Sequence, residues 1–393
     1  MSSVPSPAQQ AAQGAGRRIR NFWARVTEGL EVEQLWGQFK TEARATYGLY
    51  SKEVDWEAIG REPKKWKRPL LAAWALFQAM LMKLSPARRV LLLIAVFLLI
   101  FQPDFRGGGG EFTIQLGWLG AALLFLLLAL ELGDRVTMKR DLEIAREIQQ
   151  WLVPERPPLV SGFDIAFATR PQNTVAGDYY DAFLRPSPSG DSTAGPLLLA
   201  VADVAGKSVP AAILMATFQA SLRALGSTPA SLEEIVSGLE RYASAHSLEG
   251  LRFTTAFLAE IAPGTRTMQY VNAGHNDPIL RRAPGKIERL STGGPPFGFP
   301  QFPGKEIPWL SATVELLPDD LLFIFTDGLV EAVNEEGGEG GEYGEARLLG
   351  CLALVQRETA SDTLRRVMAD VSAFVGYARQ HDDITCLVLR VAS

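Results

Sequence analysis

Four short acidic motifs recur between Ala176 and Thr385. They are Ala176-Gly177-Asp178-Tyr179-Tyr180-Asp181, Val201-Ala202-Asp203-Val204-Ala205-Gly206-Lys207-Ser208, Phe325-Thr326-Asp327-Gly328-Leu329 and His381-Asp382-Asp383-Ile384-Thr385. In three of them an Asp adjoins a strand-like run, and in two a Gly follows closely. Such an arrangement puts a carboxylate at a sheet edge and leaves room for a ligand to approach the backbone. Carboxylates, carbonyls and waters are the ligands of hard divalent ions, and Mg²⁺ and Mn²⁺ take about six oxygens, several of them water. Two such ions about 4 Å apart would share a water of lowered pKa and neutralise a phosphoryl group. Phosphoryl transfer needs that positioning and charge stabilisation more than covalent chemistry. The chain has only three histidines, His246, His275 and His381, which argues against a His-rich zinc site. One Asp-Gly alone signals a turn; the order, spacing and strand context of all four motifs carry the reading.

These carboxylates need a scaffold, and the sequence from Phe163 onward supplies alternating strand and helix patterns. Strands are expected at Phe163–Ala168, Leu197–Val201, Thr255–Ile261, Met268–Asn272, Ile279–Arg282, Leu321–Thr326 and Ile384–Val391. Helices are expected at Pro210–Leu225, Leu232–Ser247, Ala346–Arg357 and Ser361–Tyr377, with Pro210 in a first turn where its missing N–H is harmless. Pro186–Pro196 and Asn334–Gly344 are rich in Gly, Pro or acid and read as loops.

The first part of the chain is different. Residues 1–16 read as a disordered tail and 17–68 as an amphipathic helical segment ending in the basic cluster Lys64-Lys65-Trp66-Lys67-Arg68. Residues 69–133 are expected to form a membrane hairpin, with spans near 86–105 and 112–132 around a tight loop holding four consecutive glycines. Basic residues flank both outer ends, Arg88-Arg89 before and Arg135, Lys139 and Arg140 after, so both flanks are expected in the cytoplasm. Residues 134–158 read as a linker helix stopped by Pro154, Pro157 and Pro158, and 159–393 as the catalytic domain. On the linker, Met138, Leu142, Ala145 and Leu152 form a 4-3 stripe with Gln149 in the remaining slot, the pattern of a homodimer contact.

The 393 residues allow two or three domains, and the 47% hydrophobic fraction allows a sizeable core. A net charge of −5 offers no global basic surface, so no nucleic-acid partner is expected. Two cysteines, Cys351 and Cys386, make no disulfide framework.

With these motifs in hand, residues 142–393 resemble the SpoIIE/RsbU-type phosphatases, the bacterial branch of the metal-dependent type 2C (PPM) family. Further matching segments are Ala145-Arg146-Glu147-Ile148-Gln149, Leu152-Val153-Pro154, Pro210-Ala211-Ala212-Ile213-Leu214-Met215, Thr254-Thr255-Ala256-Phe257, Asn272-Ala273-Gly274-His275-Asn276 and Gly293-Gly294-Pro295-Pro296-Phe297-Gly298. The resemblance implies an α+β fold, a four-layer α-β-β-α sandwich, binding two divalent cations, Mn²⁺ or Mg²⁺. It implies that Asp203 bridges both ions with the Val204 carbonyl joining it. Asp178 would serve the second ion and Asp327 and Asp382 the first. Gly177, Gly206, Gly328 and Asp383 would support the loops. The implied activity is hydrolysis of phosphoserine or phosphothreonine on a STAS-type anti-sigma-factor antagonist within a partner-switching pathway.

Three departures stand out. The usual Gly-Gly-Asp is Ala176-Gly177-Asp178, the usual Ser-Gly-Lys-Gly is Ala205-Gly206-Lys207-Ser208, and Ala205 stands where eukaryotic members carry a proton-donating His. Lys207 is a candidate contact for substrate phosphate, or a solvated loop lysine. His275 is expected to structure its Gly-His-Asn turn away from the metals rather than act as an acid. His381 could tune Asp382 or be an exposed loop residue, and Tyr179 and Tyr180 read as packing residues. Two alternatives from other classes are an inactive membrane-bound signalling scaffold and a metal-dependent small-molecule phosphodiesterase.

Overall fold

A computed structural model describes residues 54–61, 64–101, 105–107, 110–112, 116–186, 195–247, 252–283, 285–299, 309–334, 341–355 and 357–392. The expected tail, most of the amphipathic segment and the centres of the loops at 186–196 and 334–344 lie outside them. The chain divides into two compact units, residues 1–134 and 135–393.

In the first unit, α1 (Trp56–Gly60) and a 3₁₀ turn (Lys65–Lys67) precede α2 (Arg68–Lys83) and α3 (Pro86–Ile100). Both α2 and α3 have a proline in the first turn, where no intrahelical N–H bond is lost. The glycine-rich stretch expected as a tight loop carries a short antiparallel pair, β1 (Phe105–Gly107) with β2 (Gly110–Phe112). The long helix α4 then runs from Gly117 to Leu152. A Cβ added to Gly120 would stand 2.8 Å from the Ala95 carbonyl oxygen, so α3 and α4 touch backbone to backbone there. Arg88 pairs with Asp134 at 2.7 Å and Glu131 at 3.2 Å. Apart from Ala95 and Leu127, most large apolar side chains here point outward: Phe97, Ile100, Trp118 and Phe125 are 59–77% exposed.

The second unit buries its apolar residues. One sheet has the order β10–β7–β6–β5–β4 with β11 also on β7; the other runs β3–β13–β12–β8–β9. The first comprises β4 (Tyr179–Leu184), β5 (Leu197–Val204), β6 (Thr254–Ile261), β7 (Thr267–Ala273), β10 (Gly293–Gly294) and β11 (Ala312–Glu315). The second comprises β3 (Phe163–Arg170), β8 (Ile279–Arg281), β9 (Ile287–Arg289), β12 (Leu321–Phe325) and β13 (Ile384–Val391). Helices α5 (Val209–Gly226) and α6 (Leu232–Ala245) follow β5, α7 (Asp327–Val330) and α8 (Gly344–Ala353) follow β12, and α9 (Ala360–Val375) precedes β13.

The period-2 alternation of strand side chains explains the layers. On β5, Leu197, Leu199 and Val201 join a core with Phe257, Leu322, Ile324, Leu387 and Leu389 between the sheets. Leu198, Ala200 and Ala202 turn the other way, onto Phe218, Leu222, Ile235 and Leu239 of α5 and α6. On β12, Leu321, Phe323 and Phe325 pack on α8 and α9. Both faces of these strands are covered, so their sequences are continuous apolar runs without polar alternation. Helix α5 is apolar and long enough to cross a membrane, but Ala211, Ala212, Met215, Phe218 and Leu222 are buried against the sheet, as in a core helix. Three cores between four layers make an α-β-β-α sandwich.

The short strand β4 was not expected; its motif Tyr-Tyr-Asp-Ala-Phe-Leu pairs fully with β5, Tyr179 opposite Ala202 through Leu184 opposite Leu197. The linker stripe also differs from expectation. Gln149 is buried and Leu142, Ala145 and Leu152 are half-buried within the chain's own second unit, while Ile144, Ile148 and Trp151 are exposed.

Candidate active site

The alternation that sends Leu197, Leu199 and Val201 between the sheets sends Asp203 there too, at the strand's end. Its ladder partner is Thr255. Asp178 lies just before β4, Asp327 opens α7 directly after β12, and Asp382 lies two residues before β13. Carboxylates from four strand ends thus meet at one end of the sandwich, where the apolar inter-sheet core stops.

Their electrostatics shows how close they are. Burial first, then the charge of Asp203, holds the Asp178 carboxyl well above the ordinary carboxylate range. Burial first, then Asp327, Asp382 and Asp383, pushes Asp203 up to about 7. Asp327 is raised by burial and by Asp382. Like charges this close disfavour full ionisation unless a cation joins them.

Hydrogen bonds fix the cluster from behind. The Thr326 hydroxyl donates to Asp178 Oδ2 at 2.9 Å and accepts the Thr385 N–H at 3.0 Å. Asp383, expected as a support, accepts the N–H of Gln172 at 2.6 Å and of Gly177 at 2.7 Å, clamping the loop that carries Asp178. A Cβ on Gly328 would stand 2.0 Å from the Asp383 carbonyl oxygen, so only glycine fits after Asp327. Gly177 faces the Val204 carbonyl, with room for no more than a tight Cβ at 3.3 Å. Gly206 has φ +117°, which turns the loop after Asp203.

Lys207 crosses to the other sheet's loop. Its Nζ donates to Asp382 Oδ2 at 2.8 Å and to the His381 carbonyl at 2.7 Å, so here it engages carboxylate rather than standing free in solvent. His381 is exposed. His275 does shape its turn, its N–H donating to Asn272 Oδ1 at 2.7 Å. It is not remote from the carboxylates, however. Its Nδ1 lies 3.0 Å from the Thr255 hydroxyl, which in turn reaches the Asp203 carbonyl at 3.5 Å. Burial lowers this imidazole to about 4, so it is neutral at pH 7 and a poor acid. Tyr179 packs as expected and also donates its hydroxyl to Asp181, which Arg223 of α5 grips at 2.7 Å through two nitrogens.

Three contributors were missed by sequence reasoning. Thr326 and Thr385 sit inside the quoted motifs, and strand parity would have placed both hydroxyls on the inner face. Gln149 was visible as a polar residue in an apolar stripe. Its amide donates to the Ala176 carbonyl at 2.8 Å and accepts the Ala176 N–H at 3.0 Å, two residues from Asp178. The linker helix therefore touches the loop that carries Asp178.

Among the described residues, no three His, Cys, Asp or Glu side chains are gathered tightly enough to grip one ion unaided. The donor set nonetheless fits hard divalent ions, which complete their shells with water and backbone carbonyls. The mutual repulsion of Asp178, Asp203 and Asp327 is what such charge would relieve. A cavity of about 170 Å³ adjoins, lined by Arg170, Lys207, Gly328, Glu331, His381 and Asp382 among others.

Comparison with known proteins agrees with this geometry. The chain is 24% identical over 259 residues to phosphoserine phosphatase RsbU of Bacillus subtilis, covering 66% of this chain and 72% of that protein. It is 24% identical over 310 residues to Protein IcfG of Synechocystis, covering 70% of this chain but only 46% of IcfG. The SiaA-PP2C domain of Pseudomonas aeruginosa superposes with a TM-score of 0.55 at 20% identity, covering 65% of this chain and 98% of that domain, which shows the PP2C-type fold. Residues 193–392 match the family described as Stage II sporulation protein E (SpoIIE), and the chain belongs to that family.

Proposed function

We propose that the second unit hydrolyses phosphoserine or phosphothreonine on a regulatory protein, using two divalent cations, Mn²⁺ or Mg²⁺. The convergence of four carboxylates from four strand ends, with Asp178, Asp203 and Asp327 raised by burial and by neighbouring charge, carries this reading. Asp203 and the Val204 carbonyl would serve both ions, Asp178 one, and Asp327 and Asp382 the other. Such ions neutralise a phosphoryl group and lower the pKa of water. The chain's own share is orientation: Thr326 aims Asp178, Asp383 holds its loop, and Gly328 lets the Asp382-Asp383 backbone pack against the start of α7 beside Asp327. With Ala205 beside the cluster and His275 buried and neutral, solvent protonates the leaving hydroxyl in this reading.

The substrate would be a phosphorylated STAS-domain protein in a partner-switching pathway, a reading supported by likeness to a protein named phosphoserine phosphatase RsbU. We place residues 69–133 in the bacterial inner membrane with the phosphatase in the cytoplasm. The support is the outward apolar surface of α3 and α4, too large for a water-exposed face. Helix α3 has 15 residues, spanning about 22 Å at ~1.5 Å per residue, short for a ~30 Å hydrocarbon core. Homodimerisation would use the outer linker face of Ile144, Ile148 and Trp151, since the opposite face is taken.

The test is phosphate release from a phosphorylated STAS protein in Mn²⁺. Asp203→Asn and Asp327→Asn should each abolish it while circular dichroism and melting remain those of a folded domain. Undiminished turnover in either variant overturns the site; wild-type protein that binds Mn²⁺ but releases no phosphate points to a scaffold.

A further inference from the structure

Lys207 is the cation that the described site already contains, and its geometry is specific. Asp382 has both carboxylate oxygens engaged: Oδ1 accepts the Asp383 N–H at 2.9 Å and Oδ2 accepts Lys207 Nζ at 2.8 Å. The same ammonium takes a second oxygen, the His381 carbonyl, at 2.7 Å. A carboxylate and a neighbouring carbonyl around one positive charge is a fragment of a hard-cation site. The loop is shaped for this reach. Gly206 at φ +117° and Ser208 at φ +63° flank Lys207 in unusual conformations and turn its stem toward a loop 175 residues away in sequence. The charge is also felt by Asp327, whose carboxyl Lys207 pulls back toward the ordinary range. Lys207 therefore acts on the same two carboxylates, Asp327 and Asp382, that the function reading assigns to one ion.

We propose that Lys207 is a tethered counter-ion that occupies the Asp327–Asp382 half of the site in place of a divalent cation and is displaced when that cation binds. The inference rests on reading the aspartates as cation ligands. It makes metal affinity a competition: the divalent ion must replace an ammonium whose effective concentration is set by the loop. It also frees Lys207, once displaced, to meet an anionic group in the adjoining cavity.

The experiment is calorimetric titration of the full-length protein with Mn²⁺, comparing wild type with Lys207→Met and Lys207→Arg, beside metal-free melting curves in EDTA. Removing an exposed ion-pair competitor should tighten Mn²⁺ binding in Lys207→Met by about two- to fivefold. The same variant should melt below wild type in EDTA and match it at saturating Mn²⁺, while Lys207→Arg should stay near wild type in both. Unchanged or weaker Mn²⁺ binding in Lys207→Met overturns the proposal. So does a raised KM for phosphoprotein with unaltered metal affinity, which would make Lys207 a substrate contact alone. Wild-type protein that takes up no Mn²⁺ removes the metal reading itself, a result distinct from equal affinities in wild type and variant.

Discussion

The two halves of the carboxylate cluster are built differently. Asp178 and Asp203 lie deeper, are braced by Thr326 and by the Thr255–His275 pair, and are raised chiefly by burial, then by the charge of Asp203 on Asp178 and of Asp327, Asp382 and Asp383 on Asp203. Asp327 and Asp382 lie nearer the surface, and their half holds a lysine, 53% exposed, that offsets their charge. The first half is preorganised and short of positive charge. The second is already neutralised in part and can exchange its cation. A site so divided would hold one ion by geometry and admit the other by competition.

The largest expected consequence is a contrast between Asp203→Asn and Asp382→Asn in metal-free protein. Asp203 has its folded-state pKa raised to about 7. A raised carboxyl favours the fold in its neutral form, so stability is fully present below the unfolded value near 4 and is lost as pH climbs through about 7. In EDTA, Asp203→Asn should therefore be more stable than wild type at pH 8, by as much as ~4 kcal/mol, and show no advantage at pH 4. Asp382→Asn removes one of the charges that raise Asp203 but also the partner of Lys207, so its gain should be distinctly smaller. Denaturant melts at the two pH values check this; equal gains in both variants would erase the distinction between the halves.

The next effect is smaller and tests the bracing. Thr326→Val deletes a hydroxyl that serves two groups, leaving the buried Thr385 N–H without its partner and Asp178 with only the Thr385 side chain as a hydroxyl donor. The buried N–H alone costs about 1–3 kcal/mol. Urea melts should register that loss, and Mn²⁺ calorimetry should show weaker binding because Asp178 is less well aimed. Thr359→Val, which removes an exposed cap of α9, gives the contrast: it should lose about 1 kcal/mol and leave Mn²⁺ affinity alone.

The carboxylates were legible in the sequence because three of the four motifs sit beside an apolar strand run. The four layers came from the resemblance to the type 2C phosphatases, and Leu197 to Val201, covered by a sheet on one side and helices on the other, agree with it. Strand β4 was not, because Tyr-Tyr-Asp-Ala-Phe-Leu carries an Asp in its middle that looks solvated until Arg223, 42 residues on, reaches it. A 4-3 pattern on the linker helix says that a face is covered, not by what; Gln149, bonded to Ala176, shows that the domain itself covers the C-terminal part of that face, while Met138 is 65% exposed. Lys207 could not be assigned a partner, since Asp382 comes near it only through the pairing of two sheets.

The smallest effect lies in the loop that carries Lys207. Ser208 holds φ +63° and ψ −146°, a region that side chains avoid, where the resembling phosphatases have glycine. Such a conformation costs about 1–3 kcal/mol. Glycine removes that strain but adds about 0.4–1 kcal/mol of unfolded-state entropy. Ser208→Gly should therefore stabilise the metal-free protein by roughly 1 kcal/mol, the difference of the two. The Ser208 carbonyl, which accepts the Ala212 N–H at 3.0 Å and starts α5, is retained. The freer loop should hold Lys207 on Asp382 less firmly, so Mn²⁺ binding should tighten slightly in the variant while the Asp178–Asp203 half is untouched. A destabilised Ser208→Gly protein would mean that the strained turn is held by contacts of the serine itself, and that the exchangeable half is as preorganised as the buried one.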